Sequence, residues 1–249
     1  KFKIITALSV FYDLPDPNKF LKDAKSILED NGILVIEFAD LASIVEFNVF
    51  DTFCHEHAEY YSAKVIDQMC YKNGLRLFDI KINNINGGSL QFLISKDNSK
   101  YKSNNKVLKN IFLREKKLKL DKKQTFFKFI KRVNKIKLKL KTFIQKAIKE
   151  KKTIHGYGAS TKGNVLLQYF GLSHKEIKYI AERNPSKYNL YTPGSKIKII
   201  SESESRRMKP DFYIVLPWHF KEEILLREKK IIKDKTRFIF PLPNLQITK

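Results

Sequence analysis

Cysteine is scarce in this chain: 249 residues carry two, Cys54 and Cys70. Two cysteines build no disulfide framework, and no CxxC pair offers a metal knuckle, so a reducing cytoplasm fits. Long apolar runs are missing too. The best stretches, 33–38 and 212–218, have the length of strands, which argues against a membrane-spanning helix and a membrane partner. No signal peptide is visible, since residues 1–6 already read as a strand. The chain starts inside that strand without Met, so the protein's N-terminus is expected upstream of Lys1. No repeat recurs at a fixed period.

What is abundant is positive charge, with 49 Lys and Arg against 26 Asp and Glu. It concentrates in residues 100–152, which hold 19 Lys, 2 Arg and 3 acids. Such a block can serve nucleic acid or an acidic membrane. Aromatics and glycines are not interleaved as in a single-strand binder, so a solvated helical face in a Lys-rich protein is preferred and nucleic acid is not the expected partner.

The 43% hydrophobic fraction supports a sizeable core, and three blocks divide the chain. Residues 1–97 alternate strand and helix. Strands are expected at 2–8, 33–38, 75–82 and 89–95, with helices at 17–29 (capped by Asp16, ended by Asn31-Gly32) and 63–72 (capped by Ser62). Residues 98–152 lack Gly and Pro. Phe126, Phe129, Ile130, Val133, Ile136, Leu140, Phe143, Ile144 and Ala147 recur there at helical spacing, which predicts a long amphipathic connector. Residues 153–249 alternate again, with strands at 153–157, 177–181, 211–216 and 237–240 and helices at 161–170 and 221–230. The whole reads as α/β with a parallel sheet.

Four patterns could carry chemistry. Phe50-Asp51-Thr52-Phe53-Cys54-His55-Glu56-His57, then Tyr60-Tyr61, follows the strand at 33–38. It offers a general base, an orienting carboxylate and phenolic donors where ligands collect in open α/β sheets. A metal reading of Cys54, His55 and His57 fails on spacing, because the three sit too close for a structural zinc set. A structural role for the histidines is the plain alternative. His155-Gly156-Tyr157-Gly158-Ala159-Ser160-Thr161-Lys162-Gly163-Asn164 runs from strand through turn to helix, as phosphate-binding turns do, with Glu182 after the next strand. A turn without ligand, or a nicotinamide site, are its rivals. Asn86-Gly87-Gly88-Ser89 admits a ligand close to the backbone or makes a plain hairpin. Tyr191-Thr192-Pro193-Gly194-Ser195 and Trp218-His219 read as turn and core.

In this order, Phe50-Asp51-Thr52, His55-Glu56-His57, Tyr60, Gly87-Gly88-Ser89, Gly156-Tyr157-Gly158-Ala159, Pro193-Gly194-Ser195 and Leu216–Trp218 resemble the S-adenosylmethionine-dependent C-methyltransferases of nucleotide-linked deoxysugars. The resemblance covers nearly the whole chain. It implies an incomplete class I methyltransferase sheet in residues 1–97, the basic helical connector in 98–152, and a Rossmann-like nucleotide-sugar-binding domain in 153–249. The methyl-donor loop and a small zinc region would lie upstream, and no metal is expected in this chain. By the resemblance, His57 is the base that deprotonates the carbon beside the ketone, and Glu56 its partner. Tyr60, Gly87, Gly88, Ser89, Gly156, Gly158, Ala159, Ser160, Lys162 and Asn164 would meet the nucleotide-linked sugar. Cys54 stands where the family usually has Tyr, and Asn86 and Gln91 where His and Arg are common. A nucleotide-sugar-binding module without catalysis and, behind it, an NAD-dependent dehydrogenase are the alternatives. The sugar, the carbon methylated and the oligomeric state stay open.

Overall fold

The computed structural model describes residues 1–233 and 235–248. The chain divides into two compact units. Unit 1 holds Lys1–Val49 and His55–Phe129, and unit 2 holds Phe50–Cys54 and Ile130–Lys249. The fold is mixed α/β, as a class I methyltransferase sheet followed by a second α/β unit would be.

Unit 1 is built on a four-stranded sheet in the order β1-β2-β4-β3, with β1 (Phe2–Leu8), β2 (Leu28–Ala39), β3 (Leu75–Asn83) and β4 (Ser89–Lys96). β1 and β2 are parallel, and β4 runs antiparallel to both β2 and β3. The crossover between β1 and β2 is α1 (Pro17–Ile27). Its Asp16 cap accepts from the Lys19 amide at 2.8 Å, and Pro17 stands where no amide hydrogen is needed. Leu21 and Ala24 face the core beside Leu28, Leu34, Ile36, Phe38 and Phe92. Burial of each large aliphatic side chain here is worth about 1.5–3 kcal/mol.

The expected end of α1 is corrected. Asn31-Gly32 does not stop the helix, which ends at Ile27, with Leu28 already extended as the first residue of β2. Gly32 lies inside β2, where the β1–β2 register slips. A Cβ on it would come within 2.9 Å of the Phe2 carbonyl oxygen. Close approach of backbone, rather than a left-handed cap, explains this glycine.

α2 (Leu41–Phe47) and α3 (Ala63–Lys72) follow, the latter capped by Ser62 as expected. Residues 98–152 form two helices, not one: α4 (Asn105–Leu118) and α5 (Lys123–Lys149). Lys119 breaks them apart in the left-handed region at φ 54°, without any glycine to announce it. The unit boundary falls within α5. Val133, Ile136, Leu140, Ile144 and Ala147 form its buried stripe, while its lysines stay in water.

Unit 2 carries a six-stranded sheet in the order β10-β9-β8-β5-β6-β7. The strands are β5 (Ile154–Tyr157), β6 (Ile180–Glu182), β7 (Ile199–Ser201), β8 (Phe212–Val215), β9 (Arg237–Phe240) and β10 (Gln246–Ile247). All pairings are parallel except β10 with β9. The helices are α6 (Thr161–Phe170), α7 (Glu202–Arg207), α8 (Lys221–Arg227) and α9 (Lys229–Lys233). No helix among the described residues is long and apolar enough to cross a membrane.

Candidate active site

Each unit gathers its chemistry at the carboxyl ends of its parallel strands, where strand dipoles and connecting loops leave room for ligands. In unit 1, β1 runs into a 3-10 turn over Phe11–Asp13. The Tyr12 ring of that turn lies 4.1 Å from the His57 ring, centroid to centroid, tilted by 50°. The Tyr12 carbonyl accepts from the amides of Ala58 and Glu59 at 3.0 and 3.1 Å. Tyr60 comes to 6.1 Å from the same imidazole. His57 is thus half-buried beside two tyrosines, while His55 and Glu56 are exposed. Tyr61 turns the other way, into Phe11 and Phe38. Its buried hydroxyl has no partner among the described residues, and burial pushes the phenol up to about 12.

The end of β2 is organised by Asp40, which is buried. It accepts from the amides of Ala42 and Ser43 and from the Ser43 hydroxyl, capping α2, and pairs with Arg114 at 2.9 Å. The Asp40 amide donates to the Gly88 carbonyl at 3.1 Å. Gly88 sits at φ 125°, and a Cβ there would be 2.8 Å from the Ser43 Cβ, so the turn requires glycine. Gly87 also has positive φ, and the Ser89 hydroxyl donates to the Ile85 carbonyl at 2.9 Å. The Gly87-Gly88-Ser89 turn is therefore anchored at the end of β2. Gln91 donates to Glu37 on the neighbouring strand at 2.8 Å.

In unit 2 the turn from β5 to α6 is fixed by its neighbours. Gly158, at φ 83°, donates to the Ala181 carbonyl at 2.8 Å, and a Cβ there would lie 2.7 Å from Pro217 Cδ. The Ala159 amide donates to Glu182 at 2.6 Å, and Lys187 donates to the Ala159 carbonyl at 2.7 Å. Ser160 caps α6 by accepting from the Gly163 amide at 3.0 Å. Tyr157, Gly158, Ala159 and Ser160 line a cavity of about 520 Å³. Its lining also includes the cations Arg183, Lys187 and Arg227, the acids Glu182, Glu202 and Glu223, and the apolar Pro217, Phe220 and Ile224.

Three sequence-identified residues of this stretch do not line that cavity. Gly156 is buried in β5, where a Cβ would collide with Ile180. Asn164 lies in α6 and donates its amide to the Ser160 carbonyl. Lys162 is half-buried, its charge disfavoured by desolvation and favoured by Asp51. The Asp51 carboxyl is raised by burial, against the pull of Lys162 and of the Trp218 indole, which donates to Oδ2 at 2.8 Å. Asp51 Oδ1 has no partner among the described residues. Burial also lowers the next residue, His219, to about 4, with Lys162 adding to the shift.

Sequence reasoning missed Tyr12, Arg114, Arg183, Lys187 and Arg227. Arg227 lines the cavity with Tyr157 and Glu202 and belongs to a network there. It donates to the Tyr157 hydroxyl, which donates to Glu228 at 2.6 Å, while Arg206 bridges Glu228 and Glu202. Among the described residues, no three His, Cys, Asp or Glu side chains converge as metal ligands.

Comparison with known proteins divides the chain differently, between residues 80 and 84, within unit 1. Residues 1–80 match the model of a methyltransferase domain. Over 245 residues the chain is 27% identical to the C-methyltransferase NovU of Streptomyces niveus, which covers 98% of this chain. The chain spans 58% of that relative's length. Residues 84–243, well over half of the chain, match the model of the C-methyltransferase C-terminal domain, and the protein belongs to that family.

Proposed function

We propose that the protein is an S-adenosylmethionine-dependent C-methyltransferase whose acceptor is a nucleotide-linked keto sugar. The observation that carries this reading is His57, a half-buried imidazole at the carboxyl ends of the unit 1 strands, held beside Tyr12 and Tyr60. A carbon beside a ketone loses a proton only when a base is positioned for it and the enolate oxygen is stabilised. His57 takes that proton on a ring nitrogen. The Glu56 carboxylate, next in sequence, stabilises the imidazolium, and the phenol of Tyr60 is a donor for the enolate. S-adenosylmethionine supplies an electrophilic methyl group. No described residue of unit 1 is assigned to holding it. The steps assigned to this chain are therefore proton removal and orientation of the acceptor.

The cavity of about 520 Å³ in unit 2 offers a nucleotide Arg183 and Lys187 as cations for its phosphates, among the acids Glu182, Glu202 and Glu223, and apolar surface from Pro217, Phe220 and Ile224. In the full-length protein, with donor and a nucleotide keto sugar, His57→Asn should lower methyl transfer by about a hundredfold or more. Transfer at the wild-type rate in that variant would remove the base assignment. Because the cavity lies wholly in unit 2, a nucleotide-sugar-binding module is the second reading. Titration calorimetry that finds nucleotide-sugar binding but no turnover in the full-length protein would favour it.

A further inference from the structure

We propose that Tyr12 is a positioning residue for His57. It fixes the plane of the imidazole and covers one of its faces, so that the base meets its substrate in one orientation. This inference rests on the reading of His57 as the base. Three contacts carry it. The ring centroids are 4.1 Å apart, against 6.1 Å for Tyr60. The Tyr12 carbonyl takes two amides, those of Ala58 and Glu59, so the segment that follows His57 is clamped to the turn after β1. The Tyr12 ring is itself braced edge-on against Phe38 of β2 at 6.2 Å and 84°.

The physical need is plain. Residues 53–60 contain no helix or strand, and their neighbours His55, Glu56, Ala58 and Glu59 are exposed. A side chain on such a segment samples several rotamers unless something packs on it. A flat aromatic surface against an imidazole restricts its side-chain torsions without consuming either nitrogen. The backbone clamp restricts the segment. Together they place the base of an exposed, irregular segment on a strand end, as catalysis by orientation demands.

The test uses ring currents and kinetics together. In the wild-type chain, the His57 imidazole proton resonances, identified by their loss in His57→Asn, should stand upfield of the exposed histidines. They should stay there in Tyr12→Phe and move to the exposed position in Tyr12→Leu. In the full-length protein, Tyr12→Leu should lower kcat by about a hundredfold, the scale of a misplaced catalytic group, with KM little changed. Tyr12→Phe should keep most of the activity. A wild-type His57 signal without an upfield shift overturns the proposal. So does Tyr12→Phe failing as badly as Tyr12→Leu, which would point to the hydroxyl instead of the ring. If Tyr12→Leu turns over normally while His57→Asn is dead, the positioning role alone falls. If His57→Asn turns over normally, the base reading falls with it.

Discussion

The two units use one architectural idea in opposite ways. Both place a glycine of positive φ at a strand end, pressed against a neighbouring side chain: Gly88 against Ser43, Gly158 against Pro217. In unit 1 the candidate chemistry then rests on side chains, with His57 and Tyr60 held by packing on an otherwise exposed segment. In unit 2 it rests on backbone, with a turn whose amides and carbonyls are tied to Ala181, Glu182 and Lys187. A proton carrier has to titrate and move slightly, whereas a turn that receives a ligand works best when rigid. Local order follows the task.

The sharpest way to break this contrast is to fill the two glycines. Gly158→Val adds a left-handed strain and a collision with Pro217, together about 4 kcal/mol. It should abolish nucleotide binding in calorimetry. Gly88→Val should spare that binding and depress methyl transfer. Equal loss of both activities in either variant would erase the division of labour.

Next comes acid. The buried His155, bonded to Ser205 at 2.7 Å, is lowered to about 4 by burial. The unfolded chain takes up its proton near pH 6.5, the folded chain only near 4. Stability present above 6.5 is therefore lost as pH falls toward 4, by about 3 kcal/mol from this group. Denaturation of His155→Gln followed by Trp218 fluorescence should show a flatter pH dependence across that window. A slope unchanged from wild type would contradict the buried neutral imidazole.

Smaller effects test the scaffolding of unit 2. Trp218→Phe leaves the second oxygen of buried Asp51 without its indole donor and should cost about 2 kcal/mol in thermal denaturation. Ser160→Ala removes the α6 cap and should cost about 1 kcal/mol. A larger loss for Ser160→Ala than for Trp218→Phe would reverse the ranking of buried over part-buried polar contacts.

Much of this was legible in the chain, because local patterns decided it. β1, α6 and β9 lie where periodicity and turn residues put them. β7 and α7 went unseen, since three strand residues and a six-residue helix carry too little pattern to register. Asn31-Gly32 misled because the same dipeptide serves a helix stop and a strand crossing. Tyr12 escaped because its meaning depends on His57, a partner brought near only by the sheet. The Asp51–Trp218 bond joins residues 167 positions apart and could not be read from either end.

That bond also bears on how such a protein can be divided. Phe50–Cys54 count with unit 2, although the rest of that unit begins only at Ile130. A gene cut at the junction of residues 129 and 130 would deprive Trp218 of Asp51, and the rings of Tyr169 and Phe170 of Phe50. The second unit is therefore not one uninterrupted stretch of sequence: a piece that carries it intact has to include residues 50–54.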